Sequence, residues 1–397
     1  MLGTHVDALL YLFLGVVSGV IAGILPGLHP NTIAILGREI RKFIGSDLSF
    51  LVFMISMGVV DAIVNFIPAI FLGAPEEESS VAMLPGHKLL LQGYGKSAVK
   101  LCLIGSLLSM LICVLALPLL LFLIPLAYEI AKSCMWFLLL IAVVISILKE
   151  RERKLALFCF LLSGVFGVLL KGFPIDERFS LFPVLTGLFG LPSLVLAIKS
   201  ESEIPEQKER KLKISNTTIL INSLLGSAAG ILVGVLPGIG PAQAITLLSF
   251  RRSAIGFLIA SGAIAVSNFM FSIASLYLIG KARNGVAIAI RNEMEFGIVE
   301  MLTSICISIA ACGIAVLVSL YLIRFISTLL RRVNYKSVNL ITLFFLLVMI
   351  FCLTSFEGLF LAFVSFFIGL YTWLSPVRKS NLMGVLILPS ILYYLGV

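Results

Sequence analysis

Between Ile214 and Phe250 the chain runs for 37 residues without one charged side chain. A straight helix of that length would measure about 55 Å, against a hydrocarbon core of about 30 Å. The run therefore belongs in a membrane and has to break inside it. The break is written in its middle, as Leu236-Pro237-Gly238-Ile239-Gly240-Pro241. Pro237 removes a donor and clashes with the preceding turn, Gly238 tolerates a strained backbone, and Pro241 suits the first turn of a new helix.

The same element stands 211 residues earlier, as Leu25-Pro26-Gly27-Leu28-His29-Pro30. Gly15, Gly19 and Gly23 lead into the first copy as Gly226, Gly230 and Gly234 lead into the second, at that same offset. Seven identities in one register read as an internal duplication. A glycine every fourth residue gives a helix one smooth face that another backbone can approach closely. Each copy therefore reads as helix, break, helix. A weaker echo links Ser56, Asn65-Phe66 and Gly73 to Ser261, Asn268-Phe269 and Gly280, with an offset drifting between 203 and 207.

Composition agrees with a membrane protein. The chain is 60% hydrophobic and only 12% charged, with a mean hydropathy of +1.14. These values predict an all-α polytopic membrane protein of about ten to twelve transmembrane segments. It divides into a first repeat over 1–198, a charged linker over 199–213 and a second repeat over 214–397. Each repeat contains one Pro-Gly broken or re-entrant helix. The net charge of +9 comes from bases flanking apolar runs, as topology and anchoring require, and does not imply nucleic acid. Such an excess of bases also suits an anionic substrate or lipid headgroup. Met1 to Val20 lacks a basic leader and reads as a retained first helix.

Along the chain, Ser49 to Pro75 forms an apolar run interrupted only by Asp61, and Glu76 to Lys96 reads as a polar loop. Leu101–Tyr128 and Ser133–Leu148 read as two spans joined by a tight turn near Pro125. Whether the repeats are parallel or inverted depends on whether each Pro-Gly element crosses or turns back, and the distribution of Lys and Arg favours neither.

Chemistry is expected at the two breaks, because irregular backbone at membrane depth survives only where it is buried or lines a cavity. Breaks at matching places in two repeats point to a transporter binding site. Helices restarting after Pro30 and Pro241 would offer free N–H groups to an anion. The candidate substrate-binding residues are Gly27, His29, Asn31 and Thr32 in the first copy, and Gly238, Gly240, Gln243 and Thr246 in the second. Asn65 and Asn268 complete the set, and Pro26, Pro30, Pro237 and Pro241 set the breaks. Asp61 lies four residues before Asn65, on one helix face. Two readings of Asp61 stand: a coupling site for Na⁺ or H⁺, or a carboxylate near an interface paired with a base from the 38–42 cluster. The seven cysteines lie singly in apolar runs and form no metal or redox motif, and no cofactor is expected. No Walker A, nucleophile-elbow or His-Glu-x-x-His pattern occurs, so the chain reads as a non-enzyme.

Gly19-x3-Gly23-x-Leu25-Pro26-Gly27-x2-Pro30, its second copy ending at Pro241, and Gly73-Ala74-Pro75-x3-Ser79-Ser80-Val81-Ala82 together resemble the TctA family. That family is the large membrane subunit of tripartite tricarboxylate transporters, and the chain looks like one of its short, archaeal-type relatives. It departs from the pattern at His29, where the family has Gly, and at Glu76-Glu77-Glu78. The resemblance implies cation-coupled uptake of a small organic anion across the cell membrane. It also implies a small membrane subunit and an extracytoplasmic binding protein. The alternative is a polyprenyl-phosphate translocase, which is similar in using paired re-entrant hairpins with Pro-Gly turns.

Overall fold

A computed structural model of the chain describes residues 2–25, 37–71, 80–175, 177–199, 205–208, 214–235, 244, 253–329 and 335–396. In chain order the first half contributes α1 (Leu2–Ile24), α2 (Gly37–Phe43), α3 (Asp47–Val64), α4 (Phe66–Phe71) and α5 (Ser80–Leu91). It continues with α6 (Gly95–Lys132), α7 (Met135–Leu148), α8 (Arg153–Leu169), α9 (Glu177–Leu185) and α10 (Leu191–Lys199). The second half contributes α11 (Asn216–Val235), α12 (Ala254–Leu278), α13 (Gly285–Glu293), α14 (Ile298–Leu329), α15 (Tyr335–Leu374, two helical stretches meeting at a kink at Ser355, φ +54°) and α16 (Gly384–Leu395). Among the described residues there is no strand, and eight helices are long and apolar enough to cross a membrane. The protein is all-α and polytopic.

Two helix pairs form the centre, and glycine explains both. A Cβ added to Gly15 would stand 2.6 Å from the Phe53 carbonyl oxygen, and one on Gly19 would stand 2.5 Å from that of Met57. One on Gly23 would stand 2.9 Å from the Val64 Cβ. Only a helix without side chains on this face can lie so close to α3, where Cα–H groups meet carbonyls directly. In the second half an added Cβ would stand 2.5 Å from the Ala260 carbonyl oxygen at Gly226, 2.5 Å from that of Ile264 at Gly230, and 2.9 Å from that of Asn268 at Gly234. In each pair the contacts climb together along both helices, so α1 runs parallel to α3, and α11 runs parallel to α12. The chain ends joined by residues 25–46, and those joined by 236–253, therefore lie at opposite ends of their pairs.

The first-helix glycines correspond at an offset of 211, whereas their partners correspond at 207. Phe53 matches Ala260, Ser56 matches Ala263, Met57 matches Ile264, Val60 matches Ser267, Val64 matches Phe271 and Asn65 matches Ser272. The helix caps keep the second register. Ser46 accepts from the Ser49 N–H at 3.1 Å to start α3, and Ser253 accepts from the Gly256 N–H at 3.3 Å to start α12.

The halves also interlock. α6 lies on α12 and α14 lies on α3, so each long helix packs against the other half. Ser106 Oγ donates to the Gly262 carbonyl at 3.1 Å, and Ser109 Oγ to that of Ala263 at 2.8 Å. Ser227 on α11 donates to Ser109 at 2.8 Å. Hydrogen bonds of this kind contribute on average about 0.6 kcal/mol each between membrane helices. A second bundle repeats the crossing: Gly384 on α16 abuts the Phe160 carbonyl of α8, and Gly187 abuts the Ala362 carbonyl of α15. As a result α3 is buried from Ser49 to Val64 and α12 over most of its length, whereas α6 turns Leu115, Leu119 and Phe122 outward.

Two expectations about the chain path are corrected. Pro118 and Pro125 lie inside α6, which runs unbroken to Lys132, and the turn falls at Ser133 and Cys134. Within a membrane, neighbouring groups re-satisfy the carbonyl that a proline frees, so proline does not have to end the helix. The stretch read as a polar loop holds the helix α5, which docks on α4 through Gly86 against Ile70 and His87 Nδ1 at 3.2 Å from the Ile70 carbonyl. The apolar run read from Ser49 forms one membrane-length span as far as Phe71, with a turn at Asn65 ahead of Pro68, which cannot donate to Val64 four residues earlier.

The linker is docked where it is described. Gln207 is 6% exposed, and its Oε1 accepts from the Gly95 N–H at 2.7 Å, capping α6. Its Nε2 donates to the carbonyls of Leu90 at 3.1 Å and Pro205 at 2.7 Å. Gly93 makes the approach possible with φ +83°, since a Cβ there would stand 2.9 Å from the Glu206 carbonyl oxygen.

Candidate functional site

The breaks themselves, with Pro26, Gly27, His29, Pro30, Asn31, Thr32, Pro237, Gly238, Gly240, Pro241, Gln243 and Thr246, lie outside the described residues. Their approaches are described. α1 ends at Ile24 and α11 at Val235, each directly before the Leu-Pro-Gly of its half. The last glycine of α1, Gly23, stands against the backbone nitrogen of Asn65, at the bend between α3 and α4. The last glycine of α11, Gly234, stands against the Asn268 carbonyl and the Ser272 nitrogen, each 2.9 Å from an added Cβ. Both helix ends are thus delivered to a polar stretch of the buried partner helix.

Those stretches are Asp61 and Asn65 on α3, and Asn268 and Ser272 on α12. They are 1%, 2%, 8% and 1% exposed. Asn65 donates its backbone N–H to the Asp61 carbonyl at 3.0 Å, so the two are one turn apart on one face. The contact register corrects the weaker echo in the sequence. Asn268 corresponds to Asp61 and not to Asn65, whose counterpart is Ser272. At Asn65 and Asn268 the sequence echo is out by one helical turn, which preserves the helix face and so disguises the error.

The centre of the molecule therefore pairs a carboxylate with the matching amide. The crossing of α3 and α12 lies close by, where Gly58 packs beneath the Phe269 ring. Asp61 follows Gly58 by one turn, and Asn268 adjoins Phe269. Of the bases read as possible partners of Asp61, Arg41 pairs with Asp47 and Lys42 with Glu39, while the Arg38 side chain lies outside the described residues.

Sequence reasoning passed over Ser272 and Ser275. The Ser275 hydroxyl donates to the Gly234 carbonyl at 2.9 Å as well as to its own Phe271 carbonyl at 2.7 Å. It thereby serves a backbone acceptor in the last turn of α11, where Pro237 follows and the intrahelical ladder runs out. At the matched place in the first half stands Pro68, which has no donor. The signal for Ser275 lay in the 207 register, visible only from the contacts.

Residues 9–384 match the Tripartite tricarboxylate transporter TctA family, a family of transporters and not of enzymes. The uncharacterized protein MJ1079 of Methanocaldococcus jannaschii is 33% identical over 401 residues, covering 98% of this chain and 99% of that relative. No solved structure matches the chain. With nearly its whole length matched, this multi-pass membrane protein belongs to the TctA family, the large subunit of a tripartite tricarboxylate transporter.

Proposed function

We propose that the chain is a cation-coupled secondary transporter of a di- or tricarboxylate-like organic anion, bound between the two Pro-Gly breaks. The observation supporting this reading is the delivery of both pre-break helix ends to matched, buried polar stretches, Asp61 with Asn65 and Asn268 with Ser272. A carboxylate buried in a membrane interior is costly and is retained where it binds a proton or cation. Asp61 takes the coupling ion, Na⁺ or H⁺. Asn65 and Asn268 meet the anion, together with the sequence-adjacent break residues His29, Asn31, Thr32, Gln243 and Thr246. N–H groups of Gly27, Gly238 and Gly240 and the first turns after Pro30 and Pro241 favour negative charge.

Two repeats, 1–198 and 214–397, joined by the linker 199–213, arise in this reading from one duplication. The paired 211 and 207 registers support it. Because each glycine helix runs parallel to its partner, the described ends on either side of each Pro-Gly lie at opposite ends of the pair, which supports a re-entrant or broken helix there. The protein acts in the cytoplasmic membrane with a small membrane subunit and an extracytoplasmic binding protein.

Thermal unfolding of the purified protein in detergent tests this, with citrate and related carboxylates compared with a short-chain polyprenyl phosphate. A ligand that binds only the folded state raises the melting temperature with its concentration. The reading expects a carboxylate shift that needs Na⁺ or low pH and is lost in Gln243→Ala. A shift with the polyprenyl phosphate alone sinks it in favour of a lipid carrier.

A further inference from the structure

Arg283 lies in the connection between α12 and α13, at the end of the membrane-length helix. Its Cζ stands 5.9 Å from the ring centroid of Tyr128, near the end of α6. Tyr394, in the last turn of α16, neighbours both, with its hydroxyl within hydrogen-bonding reach of the guanidinium. Three elements distant in sequence thus close around one cation. Two of its nitrogens, Nε and Nη2, are buried and meet no hydrogen-bond acceptor. No ion pair to Arg283 occurs among the described residues.

Those two nitrogens form one edge of the planar guanidinium, with their N–H bonds side by side. That edge matches two oxygens of a carboxylate or phosphate in a bidentate pair. The cation–π contact uses the flat face of the group and leaves the edge unserved. Buried donors are almost always satisfied, so an edge with both donors orphaned among the described residues points to a partner beyond them. We propose that Arg283, flanked by Tyr128 and Tyr394, is an oxyanion site that grips a carboxylate or phosphate side-on.

The site is separate from the central polar residues. α12 ends ten residues beyond Asn268, about 15 Å along the helix. Tyrosines at the ends of membrane helices occupy headgroup depth, where both soluble anions and lipid phosphates are within reach. The inference does not rest on the transport reading.

The test uses the full chain with wild type, Arg283→Gln and Arg283→Lys, the last keeping the charge without the fork. One arm titrates citrate and inorganic phosphate against thermal unfolding in a neutral detergent. The other counts phosphatidylglycerol retained by native mass spectrometry after extraction from mixed phosphatidylglycerol and phosphatidylcholine bilayers. An oxyanion should bind wild type and lose about tenfold or more in affinity in Arg283→Gln, with Arg283→Lys also weakened. A loss confined to the first arm assigns a soluble anion, and one confined to the second assigns a lipid headgroup. If no oxyanion binds wild type, or binding survives undiminished in either variant, the proposal is overturned. Should Arg283→Gln fail to fold, Arg283→Lys against wild type decides alone.

Discussion

Asp61 and Asn268 occupy the same place in two parallel helix pairs, one carrying the acid and the other its amide. The matched contacts on either side, Met57 with Ile264 and Val64 with Phe271, fix that equivalence. Two otherwise similar halves therefore differ at their centre by one ionisable group. In the proposed coupling mechanism this difference would let one half respond to a cation while the other keeps the same shape.

Asp61→Asn makes the two positions identical with almost no change in volume. The melting temperature should hold or rise slightly, because a buried group that can ionise is replaced by one that cannot. Cation-driven accumulation of carboxylate in proteoliposomes should fall more than about tenfold, the loss expected when a charge-assisted contact disappears. Exchange of carboxylate across the same membrane, which needs no net cation movement, should persist. Accumulation at the wild-type rate would remove Asp61 from the coupling role.

The glycine faces predict a sharp contrast between two substitutions. Gly230→Val drives a Cβ to within 2.5 Å of the Ile264 carbonyl oxygen, and backbone cannot swing aside as a side chain can. Destabilisation of about 2–3 kcal/mol should follow, lowering the unfolding midpoint by several degrees. Gly45→Ala has nothing within 4 Å of the new methyl and should leave the midpoint in place. Equal effects in the two variants would mean that the close approach of α11 to α12 is not what holds the pair.

Much of this fold is legible in the sequence because its strongest signals are local. The uncharged 37-residue run, the glycine spacing and the Pro-Gly pairs each follow from membrane thickness and backbone sterics. The register of α3 against α12 is different in kind. The connection between the paired helices is four residues shorter in the second half, and four residues is close to one turn. An alignment that slips by a turn keeps every residue on its face, so Asn65 could be matched to Asn268 without breaking any periodicity. Only the partner glycines distinguish the two. The docking of Gln207 was likewise hidden, since a charged, proline-bearing stretch looks the same whether it is free or pinned.

Gln207 gives that docking a test. Gln207→Ala removes the acceptor for the Gly95 N–H and the donor to Leu90 and Pro205. The Gly95 N–H, in the first turn of α6, then depends on water. A cost of about 1–2 kcal/mol is expected. Local opening should increase by roughly five- to thirtyfold, and trypsin cleavage after Lys208 should accelerate accordingly under native conditions. Cleavage at the wild-type rate would show that the Lys208 N–H to Gly93 carbonyl bond, 2.7 Å long, holds the linker unaided.

The second bundle has its own fastening at Lys379. Its ammonium lies 3.0 Å from the Thr372 carbonyl, 3.1 Å from that of Trp373, and 3.2 Å from those of Ser375 and Val377. Three protons shared among four acceptors serve two carbonyls in the last turn of α15 and two just beyond it, where a cation also complements the helix dipole. Beside it Glu150, from the turn between α7 and α8, accepts from the Arg378 N–H at 3.1 Å and from Asn381 Nδ2 at 3.3 Å, tying the first half to the second. Lys379→Met keeps the length of the stem and removes every donor. The carbonyls must then find water or stay unpaired, at a cost of about 1–3 kcal/mol. Lys379→Arg, which keeps charge and donors in a bulkier planar form, should recover part of the loss. Thermal unfolding of the three proteins in one detergent separates these outcomes. If Lys379→Met melts with wild type, the four carbonyls are served by solvent and the fastening lies with Glu150 instead.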